Sequence, residues 1–164
     1  MVQKIDKLFL LIIKSGDILN YEIALKKIKN IVHSSSNVLD EIVSFLYENF
    51  DHYNWIGIYL VEGEHLILGP WKGPNATEHT KIPIGQGVCG SAAESGKTEL
   101  VDDVKKDNRY LACFLSTKSE IVVPIKKQDK IIGEIDIDSD KPAAFTKNDK
   151  LFLEKVADML IEHI

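Results

Sequence analysis

The sequence predicts an α+β fold: an antiparallel sheet with helices packed on one face and a ligand pocket on the other. Three observations carry that prediction. Segments 55–71 and 121–138 alternate in polarity and turn back on themselves through Glu62-Gly63-Glu64 and Lys127-Gln128-Asp129, so each reads as a hairpin. Segments 21–32 and 38–50 and the stretch after Thr146 repeat apolar residues every three or four positions, the period of a helix. Along 130–138 the apolar and acidic side chains fall on opposite faces, which leaves one face for helices and the other for a site.

The elements follow in order. Residues 1–20 hold a short amphipathic stretch and then Ser15-Gly16-Asp17, a stop and restart that predicts an N-terminal helical extension to a domain spanning 21–164. Ile23, Leu25, Ile28 and Val32 make Tyr21–Val32 a helix, with Lys26, Lys27 and Lys29 between them. Ser34-Ser35-Ser36-Asn37 offers several N-caps to a second helix, where Val38, Leu39, Ile42, Val43, Leu46 and Phe50 keep the helical period. After Asp51 the period becomes two, with Trp55, Gly57, Tyr59 and Val61 on one face and Ile56, Ile58 and Leu60 on the other. The returning strand over 65–71 runs into a loop rich in Gly, Pro and Asn from Gly69 to Thr80, then a short strand near Lys81–Ile84. Val88–Glu94 is small-residue material for a tightly packed helix that ends at Gly96, with Cys89 in its first turn. Thr98–Val101 reads as a short strand, and the polar stretch Asp102–Ser119 places Cys113 on a loop. The second hairpin pairs Ile121–Ile125 with Lys130–Asp138. Thr146 caps a last helix that buries Phe152, Val156, Met159 and Leu160.

Composition narrows the function. With 164 residues the chain is one domain's worth, and 45% hydrophobic against 27% charged residues excludes intrinsic disorder. A net charge of −5, spread along the sequence, argues against a nucleic-acid partner. The longest apolar run, Leu8–Ile13, is far short of the roughly 20 residues that cross a bilayer. No small-residue cleavage site follows that run, so the expectation is a cytoplasmic protein without a membrane partner. Gly85-x-Gly87-x-x-Gly90 resembles a dinucleotide fingerprint only superficially, because no βαβ unit surrounds it. His33, His52, His65, His79 and His163 show no ligand spacing with acids or cysteines; they read as surface histidines, with no metal and no cofactor expected.

Several residues can carry chemistry. Cys89 and Cys113 are too few for a disulfide scaffold, and each is either a buried small hydrophobe or a reactive thiol. Strand alternation puts Glu134, Asp136 and Asp138 on one face, and Glu120 at the start of the preceding strand can join them. Such a row is either a solvated outer face or the lining of a pocket. In a pocket, repulsion and desolvation raise at least one pKa, giving a site that holds an ammonium group and donates a proton. Trp55 and Tyr59 share that face of the sheet, as an aromatic wall or as core residues.

Five segments together resemble a known family. Asn54-Trp55-Ile56-Gly57-Ile58-Tyr59-Leu60, Leu68-Gly69-Pro70, Ile82-Pro83-Ile84-Gly85-Gln86-Gly87-Val88-Cys89-Gly90, Ser119-Glu120-Ile121-Val122-Val123-Pro124 and Asp136-Ile137-Asp138-Ser139 are similar, in order and separation, to the free methionine-(R)-sulfoxide reductases, which are single GAF domains. The resemblance runs from about Tyr21 to the C-terminus and implies a GAF-like sheet. It implies Cys113 as nucleophile and Cys89 as the resolving thiol. It implies Trp55 and Tyr59 around the methyl sulfoxide end of the substrate, and Glu120, Asp136 and Asp138 on its amino group and sulfoxide oxygen. The implied partners are free methionine-(R)-sulfoxide and a thioredoxin-like reductant, with a possible homodimer. The chain departs from the family pattern twice: Asn75-Ala76-Thr77-Glu78-His79 occupies a loop where a third cysteine is common, and Lys118 stands where Arg is common. The competing readings are a GAF module that binds a small ligand, and a redox sensor that switches a Cys89–Cys113 pair without turnover.

Overall fold

In the computed structural model, which describes residues 21–164, two antiparallel hairpins are joined side by side into one sheet. The expected extension over 1–20 lies outside the described residues. Helix α1 (Tyr21–Ser34) and helix α2 (Val38–Asn49) lead into β1 (Trp55–Glu62) and β2 (His65–Lys72). Then come β3 (Lys81–Pro83), α3 (Gly87–Ser95), β4 (Glu99–Val101), β5 (Ser119–Lys127), β6 (Lys130–Ser139) and α4 (Lys147–Leu160). The sheet order is β3-β2-β1-β6-β5-β4, and every neighbouring pair is antiparallel.

Alternation along the three central strands builds two different layers. Ile56 and Ile58 of β1, Ile121, Val123 and Ile125 of β5, and Ile135 and Ile137 of β6 point to one face. There they meet Ala24 and Ile28 of α1, Ile42, Val43 and Leu46 of α2, and Phe152, Leu153, Val156 and Leu160 of α4. Each such side chain contributes about 1.5–3 kcal/mol by leaving water, so this layer is the main source of stability. The opposite face carries Trp55, Tyr59 and Val122, covered by α3 through Val88, Cys89, Ala92 and Ala93. Gly96 ends α3 in the left-handed region at φ 64°, where a glycine costs least.

A single carboxylate ties the helical layer together. Thr146 Oγ1 accepts from the backbone amides of Asn148 and Asp149, while Asp149 Oδ2 accepts from the Thr146 amide at 2.8 Å, a capping box at the start of α4. The other oxygen of Asp149 accepts from the hydroxyls of Tyr53 at 2.8 Å and Tyr21 at 3.1 Å and contacts His52 Nε2 at 3.0 Å. His52 is therefore a partner of a buried acid and not a free surface histidine. Burial of Asp149 works against its charge, but the bonds from His52, Thr146 and Tyr53 prevail and hold its pKa well below the ordinary carboxylate range.

One strand boundary and one helix cap differ from the sequence expectation. β2 continues through Gly69 and Pro70 to Lys72, residues whose composition reads as loop. The register of β1 against β2 shifts between Gly57 and Tyr59, and that irregularity accommodates a proline with no amide proton to donate. At the start of α2, Asn37 makes no side-chain cap; Ser35 Oγ accepts from the Asn37 amide at 2.8 Å and donates to Glu41 at 2.7 Å.

Candidate active site

Four carboxylates line the face of the sheet under α3. Glu120 of β5 stands opposite Asp138 of β6, Val122 opposite Asp136, and Pro124 opposite Glu134. On the other edge of β6, Trp55 faces Asp138, Gly57 faces Asp136, and Tyr59 faces Glu134. The acids are not a solvated outer face, since Glu120, Glu134, Asp136 and Asp138 are all 5% exposed or less. No ion pair among the described residues includes them. Glu120 Oε2, both oxygens of Glu134, Asp136 Oδ1 and Asp138 Oδ1 are buried without a hydrogen-bond partner.

Leaving charged oxygens dry and unpaired is costly, so these acids hold protons they would otherwise lose. Burial lifts Asp136 to about 7. Burial first, and then the charge of Asp136, pushes Glu134 and Asp138 well up. Glu120 rises by burial and by the charges of Asp136 and Asp138. A cation placed among them offsets the desolvation of several carboxylates at once, and a neutral carboxyl left over is a proton donor.

The two thiols approach the acids from different elements. Cys89, in the first turn of α3, points its Sγ at Glu120 Oε1, 3.9 Å away. Burial, then Asp136, Glu134 and Glu120, holds Cys89 in its thiol form. Cys113, half-buried on the loop before β5, is pushed up by burial and then by Asp136 and Asp138. Asp136 and Glu120 act on both sulfurs, so the two thiols flank one cluster. One ligand atom each from Cys89, Glu120 and Asp136 lies within 4.8 Å of the others, close enough to share a metal ion. A thiolate ligand there would first have to shed a proton that three carboxylates hold in place. An ammonium group needs only the carboxylates.

The aromatic residues do more than form a wall. Trp55 and Tyr59 are buried, and Trp55 stacks on Trp71 with ring centroids 6.2 Å apart and tilts against Phe114 at 5.8 Å. Its ring lies across Gly57, where an added Cβ would sit 2.5 Å from the indole, so only glycine lets the ring lie there. Trp55 Nε1 donates to the Asn75 carbonyl at 3.2 Å, and the Tyr59 hydroxyl donates to the His79 carbonyl at 2.8 Å. Both rings thus pin the loop between β2 and β3.

That loop brings in residues the sequence reading passed over. His79 Nδ1 sits 3.1 Å from Cys113 Sγ, which corrects the assignment of His79 to the surface. Thr77, 6% exposed, accepts from the His79 amide at 3.1 Å, and its side chain bonds Cys113 in the sense that favours the thiolate. Thirty-four positions separate His79 from Cys113, and no local spacing could announce the contact. Glu134 was visible as a member of the acidic face, and its full burial beside Asp136 adds it to the site.

Residues 35–164 match the GAF domain family. A protein named free methionine-R-sulfoxide reductase from Escherichia coli is 38% identical over 117 residues, 71% of this chain and 70% of that one. The solved structure of fRMsr from Staphylococcus aureus in its reduced form superposes with a TM-score of 0.82 at 39% identity, over 89% of this chain and 96% of that chain. The free methionine-R-sulfoxide reductase from Neisseria meningitidis, solved in complex with its substrate, superposes at 0.81 with 36% identity over 87% and 86% of the two chains. With a GAF sheet, a buried acid cluster flanked by two thiols, and relatives of this identity and coverage, the chain belongs to the GAF domain family and, within it, to the free methionine-R-sulfoxide reductases.

Proposed function

We propose that this protein reduces free methionine-(R)-sulfoxide to methionine, with Cys113 as nucleophile and Cys89 as the thiol that resolves it. The observation that carries the reading is the set of four buried carboxylates, each with at least one oxygen that has no hydrogen-bond partner, beside two free cysteines. The substrate's ammonium group enters among Glu120, Asp136 and Asp138 and relieves their mutual repulsion. Burial is the first cause that holds Cys113 as a thiol, and the charges of Asp136 and Asp138 are the next; the same neutralisation relieves that second cause and makes the nucleophile easier to ionise when substrate is bound. A methionine inside a peptide brings no ammonium and leaves the cluster unpaired.

The chemistry then balances within the chain. The Cys113 thiolate attacks the sulfoxide sulfur to form a sulfur–sulfur bond while a carboxylic acid of the cluster protonates the oxygen; the hydroxyl then passes to the Cys113 sulfur as the S–O bond and the new S–S bond break. Methionine departs with its sulfur reduced by two electrons, and Cys113 is left as a sulfenic acid. Cys89 attacks that sulfur, water leaves, and a disulfide joins the two cysteines. An external dithiol of the thioredoxin class exchanges with the disulfide and restores both thiols.

The test couples the protein to thioredoxin, its reductase and NADPH. NADPH consumption is expected with free methionine-(R)-sulfoxide and not with its N-acetyl derivative, which lacks the cation. Binding of the free sulfoxide with no NADPH consumed and no methionine formed would instead establish a small-ligand or redox-sensing GAF module.

A further inference from the structure

We infer that His79, held by Thr77, is the proton acceptor for Cys113, so that the loop between β2 and β3 supplies the nucleophile with its own base. This inference rests on the role proposed above for Cys113. His79 Nδ1 lies 3.1 Å from Cys113 Sγ, a sulfur hydrogen-bond distance. The ring is not placed by chance. The Tyr59 hydroxyl fixes the His79 carbonyl at 2.8 Å, Thr77 Oγ1 fixes its amide at 3.1 Å, and Trp55 fixes the same loop at Asn75. Three contacts within five consecutive residues hold the backbone that carries this imidazole.

The surroundings give the base a necessary task. The titratable groups acting on Cys113 are Asp136 and Asp138 from β6, Glu120 from β5, Tyr59 from β1 and Tyr110 from its own loop. Every one is neutral or negative, so none stabilises a thiolate by its charge. Beside these groups, the His79 imidazole is the neighbour that becomes a cation when it takes a proton. On the proposed reaction the S–H bond of Cys113 breaks toward Nδ1, and the imidazolium then stands beside the thiolate as it attacks. The cluster acid gives its proton to the departing sulfoxide oxygen, which is transferred as hydroxyl to the Cys113 sulfur. The imidazolium later returns its proton to that carboxylate. The sum is Cys113 thiol plus sulfoxide giving Cys113 sulfenic acid plus thioether, with no proton or electron left over.

Thr77 acts as a positioning residue. Its hydroxyl accepts from the His79 amide at 3.1 Å, which fixes the backbone that carries the imidazole, and its side chain acts on Cys113 in the sense that favours the thiolate.

The test reads thiol reactivity and requires no sulfoxide. Fully reduced protein is alkylated with iodoacetamide across pH, and modification at Cys113 is followed by peptide mass spectrometry. The wild type is expected to show a reactive limb near neutral pH. His79→Ala is expected to lose that limb and to react at least about tenfold more slowly at neutral pH, with partial recovery on adding free imidazole. His79→Asn keeps a polar group near the sulfur without a base, and it too is expected to lose the limb. Thr77→Val is expected to lower the rate severalfold and to keep the limb. Unchanged pH profiles in both His79 variants, each shown to be folded by its thermal transition, would overturn the inference. If His79→Ala does not fold, the His79→Asn profile decides. Because no sulfoxide is present, a His79-dependent limb in a protein that fails to reduce methionine sulfoxide would reject the proposed function and leave the dyad standing.

Discussion

The residues with most leverage are the four acids, because each is buried and none is in an ion pair among the described residues. Glu120 and Asp138 face each other across β5 and β6, so they bracket the position a substrate cation would take. Glu120→Gln and Asp138→Asn keep shape and remove the capacity to ionise. Each is expected to weaken binding of free methionine sulfoxide by about 2 kcal/mol, roughly thirtyfold, because the ligand's ammonium is then left underpaired. Calorimetric titration checks this, and unchanged affinity in both variants would remove those acids from the pocket. At this scale the sequence was informative where chemistry follows strand alternation: Glu134, Asp136 and Asp138 share a face because residues two apart on a strand must. It was uninformative about burial, since an acidic row reads identically whether water or a helix covers it. It assigned His79 to the surface, because its partner is supplied by the meeting of two loops.

At the scale of elements, Asp149 joins pieces distant in sequence. It caps α4, and it receives the Tyr21 hydroxyl from α1 and the Tyr53 and His52 side chains from the turn before β1. Truncation in Asp149→Ala leaves several buried donors unsatisfied and is expected to cost about 3 kcal/mol. Its pH dependence has a definite sign. The folded pKa lies below the unfolded one, so the stabilisation is complete above an unfolded value of about 4 and disappears as pH falls through the folded value. Urea unfolding of the wild type should therefore weaken steeply in acid, and Asp149→Ala should show a shallower slope there. Equal slopes would assign acid sensitivity elsewhere. The Thr146 cap was legible because its partner stands three residues on, within the same turn. The continuation of β2 through Gly69-Pro70 was not, because a proline in a strand reads as an end unless the register shift beside it is known.

The whole molecule separates stability from function by face. One side of the sheet is an ordinary apolar layer under α1, α2 and α4, and the other buries charge under α3. The second face opposes the first as pH rises. For acids whose folded pKa is raised, the stabilisation is complete below the unfolded value of about 4 and is lost as pH climbs through the folded value, which for Asp136 is about 7. Combined with Asp149, this predicts a thermal stability that peaks in mild acid and declines toward about pH 8, with the decline reduced by free methionine sulfoxide. Thermal scans across pH with and without ligand check it; a midpoint that rises from about pH 5 to 8 without ligand would contradict it. The architecture itself was legible from two hairpins and three strong helical periods. No helix of the described residues is long and apolar enough to cross a membrane, in line with the short apolar runs of the sequence.

The most direct test of the central claim is one turnover of fully reduced protein with the separated R and S epimers of free methionine sulfoxide, counting thiols before and after. The account predicts close to one methionine per chain from the R epimer alone, with the loss of two thiols, and none from a Cys113→Ser variant. Methionine from neither epimer, or its release from the R epimer by Cys113→Ser, would contradict it.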